Sequence, residues 1–363
     1  MICYDDSCID SCTVTGCDFE EYCDSSSGLC EPGCQQASDC DPPDYACEAG
    51  SCVDGCAITG CDYQEHCDSS SGLCEDGCQS DDDCNGEVCF GDTCVPDTDF
   101  SSSYGLAAGG WHNCVLDDDS EITCWGSDEY DQDLPPATTF ETISSGRDHS
   151  CGVRPDDSVE CWGRDTWGQD ESMSGTFSYV SAGRRHNCAI DDDETLECWG
   201  SDGSGQSSPP SGSFVAVGSG DYFTCGIRTD GTLECWGNDY AGLDSPPSGT
   251  FQSVSAGWHH ACAVHIDESV HCWGNFGADQ ADPPDGDFLS VSAGYEHTCG
   301  VKTDGTVECW GSDSHGRSTP PDDTFVDVSA GNEHTCGLTT DLELECWGRD
   351  NEDQSTPPSS WSW

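Results

Sequence analysis

The chain runs to 363 residues, 34% of them hydrophobic, with 72 Asp and Glu set against 9 Lys and Arg. A formal charge of −63 makes a surface that repels polyanions, so nucleic acid is excluded as a partner. No stretch approaches the roughly 20 consecutive apolar residues of a membrane span, so the chain is not expected to cross one.

Cysteine is prominent from the first residues. The total of 32 is even, and the C-x2-C pairs favoured by structural zinc sites are missing. The thiols therefore read as disulfides, and the protein as secreted or displayed on a cell surface. The opening MICYDDSC has neither a basic n-region nor an apolar h-region. A signal peptide is expected to lie upstream of this numbering or to have been removed.

Residues 1–97 contain 18 of the cysteines and no Lys or Arg. GCDFEEYCDSSSGLCEPGC from Gly16 is echoed by GCDYQEHCDSSSGLCEDGC from Gly60. Two disulfide-rich modules follow from this, 12–55 and 56–97, with bridges standing in for an apolar core. Spacing alone leaves their connectivity open. Cys3 and Cys8 in ICYDDSC align with Cys47 and Cys52 in ACEAGSC and with Cys89 and Cys94 in VCFGDTC, which makes residues 1–11 a partial unit. Either residues upstream or a neighbouring copy complete it, or Cys3 simply bonds Cys8. The tandem modules resemble the EGF-like or Dickkopf-like stalk modules of extracellular proteins. Asp81-Asp82-Asp83 offers carboxylates to Ca²⁺ but lacks a D-x-D-x-D-G loop, and the run reads as a solvated acidic surface. No cofactor and no metal site are expected.

After a linker at 98–102, residues 103–363 repeat with a period of 37. Each unit carries one cysteine pair: Cys114 and Cys124, Cys151 and Cys161, Cys188 and Cys198, Cys225 and Cys235, Cys262 and Cys272, Cys299 and Cys309, Cys336 and Cys346. FLSVSAG from Phe288 alternates as a half-buried strand does, and two short runs around Asp304-Gly305 make a hairpin. If that hairpin turns through Thr303-Asp304-Gly305 with the glycine left-handed, Cys299 falls opposite Cys309. Seven such units predict an all-β protein, a closed seven-bladed β-propeller with one disulfide per blade, behind a small disulfide-rich arm. Its first strand is expected at Tyr104 to Gly109. Trp361 and Trp363 alternate as a strand would and are candidates to close the ring.

Three further positions recur. Asp119, Asp156, Asp193, Asp230, Asp267, Asp304 and Asp341 stand five residues after the first cysteine of each unit, where a turn aspartate bonding its own backbone is the simplest account. Cys-Trp-Gly closes the hairpin in every unit, and its tryptophan either lines a sugar-binding face or, the simpler reading, packs on the next blade. A Pro-Pro connector follows in six units and is replaced by Ser172-Met173 in one.

The pattern G-x-x-H-x-C, a turn, then C-W-G, with Gly-Gln in some units, resembles the regulator of chromosome condensation family of propellers across residues 103–363. Short blades and the expected secretion make it more similar to that family's bacterial branch, which includes a secreted β-lactamase-inhibiting propeller, than to the nuclear exchange factor. The resemblance implies binding through loops on one face of the ring. Blade cysteines depart from the eukaryotic pattern, and guanine-nucleotide exchange is not carried over.

Histidines at 112, 149, 186, 260, 297 and 334 precede the first cysteine by two residues, with Phe223 in the fourth unit. One per blade, they are too dispersed to share a metal ion, and a structural hydrogen-bonding role is expected. No HExxH, phosphate loop or G-x-S-x-G occurs, so no catalytic residue is assigned and the chain does not read as an enzyme. The two residues between that Gly and that His vary freely: Gly110-Trp111, Arg147-Asp148, Arg184-Arg185, Asp221-Tyr222, Trp258-His259, Tyr295-Glu296 and Asn332-Glu333. Trp111, Arg147, Arg184, Arg185, Tyr222, Trp258, His259 and Tyr295 are the candidate binding residues, being of the types that dominate interface hot spots. Two functions fit. One is a secreted scaffold whose propeller head recognises a protein or glycan through this face. The other is a fibre subunit in which the acidic arm of one copy docks on Arg147, Arg184 and Arg185 of the next.

Overall fold

The computed structural model describes residues 105–358, apart from Asp118 and Phe276, together with eight short strands between Glu21 and Val95. The chain divides into two compact units, residues 1–97 and 98–363. In the first, the described strands pair as antiparallel hairpins that set Cys23 opposite Cys30, Cys47 opposite Cys52, Cys67 opposite Cys74 and Cys89 opposite Cys94. ICYDDSC, Asp81-Asp82-Asp83 and the C-terminal Trp361 and Trp363 lie outside the described residues.

The second unit is an all-β, seven-bladed propeller of three-stranded antiparallel sheets taken in sequence order. Blade 6 is representative, with strands Phe288–Ala293, His297–Lys302 and Val307–Gly311. Its hairpin turns through Thr303-Asp304-Gly305: Lys302 N–H donates to Thr306 O at 2.8 Å, and Gly305 has φ +81°. That register puts Cys299 opposite Cys309, and the two are bridged, as are the other six pairs. Closing each short loop stabilises its blade by roughly 2 to 3 kcal/mol in the chain-entropy account.

Glycine supplies the left-handed turn residue only at Gly231 and Gly305. Ser120, Asp157, Glu194, Glu268 and Leu342 hold φ between 61° and 69° at the same repeat position. Each costs on the order of 1 kcal/mol, a strain the disulfide and the hairpin ladder outweigh.

The turn aspartates behave as expected in four blades. Asp156, Asp230, Asp267 and Asp304 each accept the N–H and the hydroxyl of the Ser or Thr two residues on. In blades 1 and 3 the acceptor is instead the aspartate two residues earlier. Asp117 takes the N–H groups of Asp119 and Glu121, and Asp191 those of Asp193 and Thr195. In blade 7 the Thr339 hydroxyl caps Glu343 N–H, and Asp341 does not. A carboxylate two residues earlier reaches the same donors, so the turn uses whichever acceptor is present. The first strand is described as Leu106–Ala108, with Gly105 bent at φ +68° and Gly109 beyond its end, while Tyr104 lies outside the described residues.

The connector explains why each blade stops at three strands. Proline has no N–H to extend the sheet. In blade 2, where Met173 replaces the second proline, Met173 and Val159 exchange both backbone bonds at 2.9 and 3.0 Å as a fragment of a fourth strand.

Blades are joined by a repeated polar seam. His260 Nε2 lies 2.8 Å from the Thr298 hydroxyl of the next blade, which donates to Gln280 O at 3.0 Å. Trp310 Nε1 donates to the same carbonyl at 2.9 Å. The His186–Thr224 and His297–Thr335 seams repeat this, and Asn187 or Asn113 accepts from His149 or His334. Because each Thr hydroxyl and each Asn amide N–H donates onward to a carbonyl, the imidazole must donate through Nε2. The His334–Asn113 bond, with Trp125 Nε1 on Gln354 O, joins blade 7 to blade 1 and closes the ring by the same means. The histidines and tryptophans thus take the structural roles expected of them. Between blades 4 and 5 the seam is apolar, with Phe223, Ala261 and Leu243 in place of the imidazole, the hydroxyl residue and the glutamine, all three buried.

Candidate functional site

The Gly-x-x-His tetrapeptide joins the first strand of each blade to the second. Its glycine accepts from the preceding blade: Arg147 N–H donates to Gly183 O and Arg184 N–H to Gly220 O. A Cβ on Gly146 would stand 2.2 Å from Gly183 O, so only glycine permits that approach. The histidine folds inward to the seam, and the two residues between lie at the mouth of the ring, where Gly110, Asp148, Asp221 and Asn332 are buried and the others half-buried.

Their side chains converge. Arg184 lies 4.7 Å and Arg147 5.4 Å from the Trp258 ring. Blade 2 and blade 5 are not neighbours in a ring of seven, so the Arg147–Trp258 contact spans the mouth of the axis. Tyr295 packs edge-on to Trp258 at 4.3 Å, and His259 lies 6.4 Å from Tyr295. Arg184 donates through Nη1 to both carboxylate oxygens of Asp221 at 2.8 Å and to the Tyr222 hydroxyl at 3.1 Å. Burial raises the Asp221 carboxyl above its ordinary value, and Arg184 opposes that rise.

Six of the eight sequence-nominated residues, Arg147, Arg184, Tyr222, Trp258, His259 and Tyr295, therefore form one axial cluster. Trp111 and Arg185 stand apart from it. Trp111 is covered by the Arg349 guanidinium at 4.9 Å, and Arg185 stacks on the exposed Trp167 at 5.4 Å. Sequence reasoning missed Asp221 as the carboxylate that positions Arg184, and Trp167 and Tyr240 as connector aromatics that flank Arg185 and His259. Nothing in a 37-residue period signals contacts between repeats two or three apart.

The pairing of the cations is uneven. Among the described residues, Arg154, Arg164, Arg184, Arg228, Lys302, Arg317 and Arg349 each contact a carboxylate closely. Arg147 reaches only Asp148, at 3.6 Å, and Arg164 already holds that carboxylate at 2.9 Å. Its buried Nε has no hydrogen-bond partner, nor has that of Arg184. Arg185 has no carboxylate partner among the described residues. Around this cluster the third strands end in connector loops that hang from it: Ser201 N–H donates to Arg185 O and Asn238 N–H to Tyr222 O. The next residue in those loops is aspartate in six blades, exposed at Asp128, Asp165, Asp202, Asp239, Asp313 and Asp350. The face is cationic and aromatic at its centre and acidic around it.

None of the described residues forms a group of three or more His, Cys, Asp or Glu able to hold a metal ion, and no described helix is long and apolar enough to cross a membrane. The regulator of chromosome condensation (RCC1) repeat matches residues 105–132, 177–206, 214–242, 251–280, 288–317 and 325–354. The blade it leaves out is the second, with Ser172-Met173 in its connector. No curated protein matches the chain by sequence. Among solved structures the chain is similar to the ectodomain of the Physcomitrella patens receptor kinase CR4, with 25% identity, a TM-score of 0.60, and 67% of this chain and 72% of that one covered. It is also similar to the CRINKLY WD40 ectodomain of the Arabidopsis thaliana receptor kinase ACR4, at 26% identity and a TM-score of 0.58, covering 67% of this chain and 94% of that one. Prp20p of Saccharomyces cerevisiae shares the fold at 14% identity and a TM-score of 0.56, over 77% of this chain and 89% of its own.

Proposed function

We propose that this RCC1-like propeller is a non-enzymatic extracellular scaffold, whose head recognises a protein or glycan partner through its Gly-x-x-His face. The observation that carries the reading is the convergence of Arg147 and Arg184 on Trp258 across the ring axis. Tryptophan, tyrosine and arginine held by a rigid scaffold make the kind of anchor on which interface energies concentrate. Seven bridged cysteine pairs support an oxidising compartment, and the two receptor-kinase ectodomains support an outward-facing role.

The test compares two double variants for retention of the native partner from the medium in which the protein is produced. Trp258→Ala with Tyr295→Ala removes the face, and Asp230→Ala with Asp304→Ala alters hairpin turns far from it. Loss confined to the first supports the reading, whereas equal retention by both overturns it.

A second reading keeps the same face and makes the partner another copy of the chain, assembled head to tail into a fibre through residues 1–97. It draws on the absence of Lys and Arg from that segment. Against it stands the long-range repulsion between two chains of charge −63. Native material that scatters light as a discrete monomer ends this reading, and filaments in electron micrographs end the free scaffold.

A further inference from the structure

With eight carboxylates for every cation in the chain, an arginine lacks a partner by placement and not by scarcity. Both arginines without a carboxylate of their own, Arg147 and Arg185, lie in the variable pairs of adjacent blades 2 and 3, and of the two only Arg147 belongs to the axial cluster. Arg147 has its guanidinium at the face of Trp258 and makes no side-chain hydrogen bond to any described residue. Planar guanidinium donors beside an aromatic floor match the two oxygens of a carboxylate.

The surroundings decide what bears that carboxylate. A polyacidic chain or a sulfated polysaccharide meets the ring of exposed connector aspartates before it meets the arginines, and the −63 field opposes its approach. A segment with one acidic residue among basic ones is steered in by the rim and anchored at the centre.

We propose that the axial cluster is a carboxylate socket for a basic protein partner. One Asp or Glu side chain of that partner pairs with Arg147 over Trp258 and Tyr295, beside the Arg184–Asp221 pair, while its flanking Lys or Arg residues pair with the connector aspartates. This rests on the reading that the Gly-x-x-His face is the binding face, and it names the partner's chemistry.

The probes are fluorescein-labelled Lys/Gly heptapeptides with Glu or with Gln at the centre, a Glu/Gly heptapeptide and a heparin-derived oligosaccharide. Each is titrated into the full chain and followed by fluorescence polarisation. The Glu-centred basic peptide is expected to bind more tightly than its Gln counterpart by about tenfold or more, the size of a lost charge-assisted hydrogen bond. Arg147→Gln should erase that difference and leave the Gln-centred peptide unchanged, and added salt should weaken both peptides. Equal binding of the Glu and Gln peptides, or no binding of either, overturns the socket. Tighter binding of the Glu/Gly peptide or of the oligosaccharide overturns the choice of a basic partner in favour of an acidic one. None of these results touches the partner-retention test with Trp258→Ala and Tyr295→Ala, so the socket can fail while the binding face stands.

Discussion

Six blade seams bury an imidazole that meets a hydroxyl or amide on the next blade, and the seam between blades 4 and 5 buries Phe223 against Ala261 and Leu243. Both designs sit in the same backbone frame, with the ring at 0 or 1% exposure. What the repeat keeps is therefore a closely packed, buried seam and not a particular chemical group; in the polar seams the Nε2 side of each imidazole is matched while its buried Nδ1 has no hydrogen-bond partner. An imidazole facing a residue without a hydroxyl or amide would leave its buried Nε2 donor unmatched as well, so the imidazole and its partner on the next blade are present together or absent together, whereas the glutamine gives way to Arg317 in the His297 seam, where only its backbone carbonyl is used.

The two kinds of seam should part most widely in acid. Burial holds the imidazole pKa down to about 3 at His112, His186 and His260 and about 4 at His334, against an ordinary 6.5. The unfolded chain therefore takes up protons first as the pH falls. Stability is full above about pH 6.5 and is lost progressively below it, on the order of several kcal/mol by pH 4. Calorimetry from pH 8 to pH 4 checks this, and a flat melting temperature down to pH 5 would refute it. Turn carboxylates such as Asp267, held near 2 by Ser269, add their own loss only below the ordinary carboxylate range.

Breaking the apolar seam comes next in size. Phe223→His places an imidazole opposite Ala261, where no hydroxyl waits, and should cost roughly 2 to 3 kcal/mol in urea unfolding with the disulfides intact. Adding Ala261→Thr supplies the acceptor, with Leu243 O free to take the new hydroxyl's proton beside that of Trp273. About 1 kcal/mol should return; strict additivity in the double-mutant cycle would show that the two positions are not coupled. The reverse exchange, His297→Phe with Thr335→Ala, should leave stability at pH 8 within about 1.5 kcal/mol and make the acid limb measurably shallower. The smallest effect is expected one step away in the same tetrapeptide. Arg147→Gln, which breaks no internal hydrogen bond, should change the unfolding free energy by no more than about 0.5 kcal/mol.

How much was legible follows from the range of each interaction. The Cys299–Cys309 bridge could be placed because its register depends on a three-residue turn and nothing further away. The tryptophans and histidines were assignable to seams because neighbouring blades repeat one geometry. Phe223 was visible as an exception, yet Ala261 and Leu243 stand 38 and 20 residues further along the chain and gave no sign that they answer it. The turn aspartates were overread: a shared Asp at one position does not say which acceptor the turn uses when Asp117 or Asp191 lies two residues earlier.

The sequence by itself determined the ring, its seven bridges and the face on which variation is allowed. Period and turn chemistry are local properties, and a 37-residue unit repeated seven times can bury its faces only against its neighbours. Only the tertiary structure decided which of the variable residues act together. Arg147 and Trp258 are 111 residues apart and meet because the ring closes, whereas Trp111 and Arg185, equally prominent in the repeat, are drawn aside by Arg349 and Trp167.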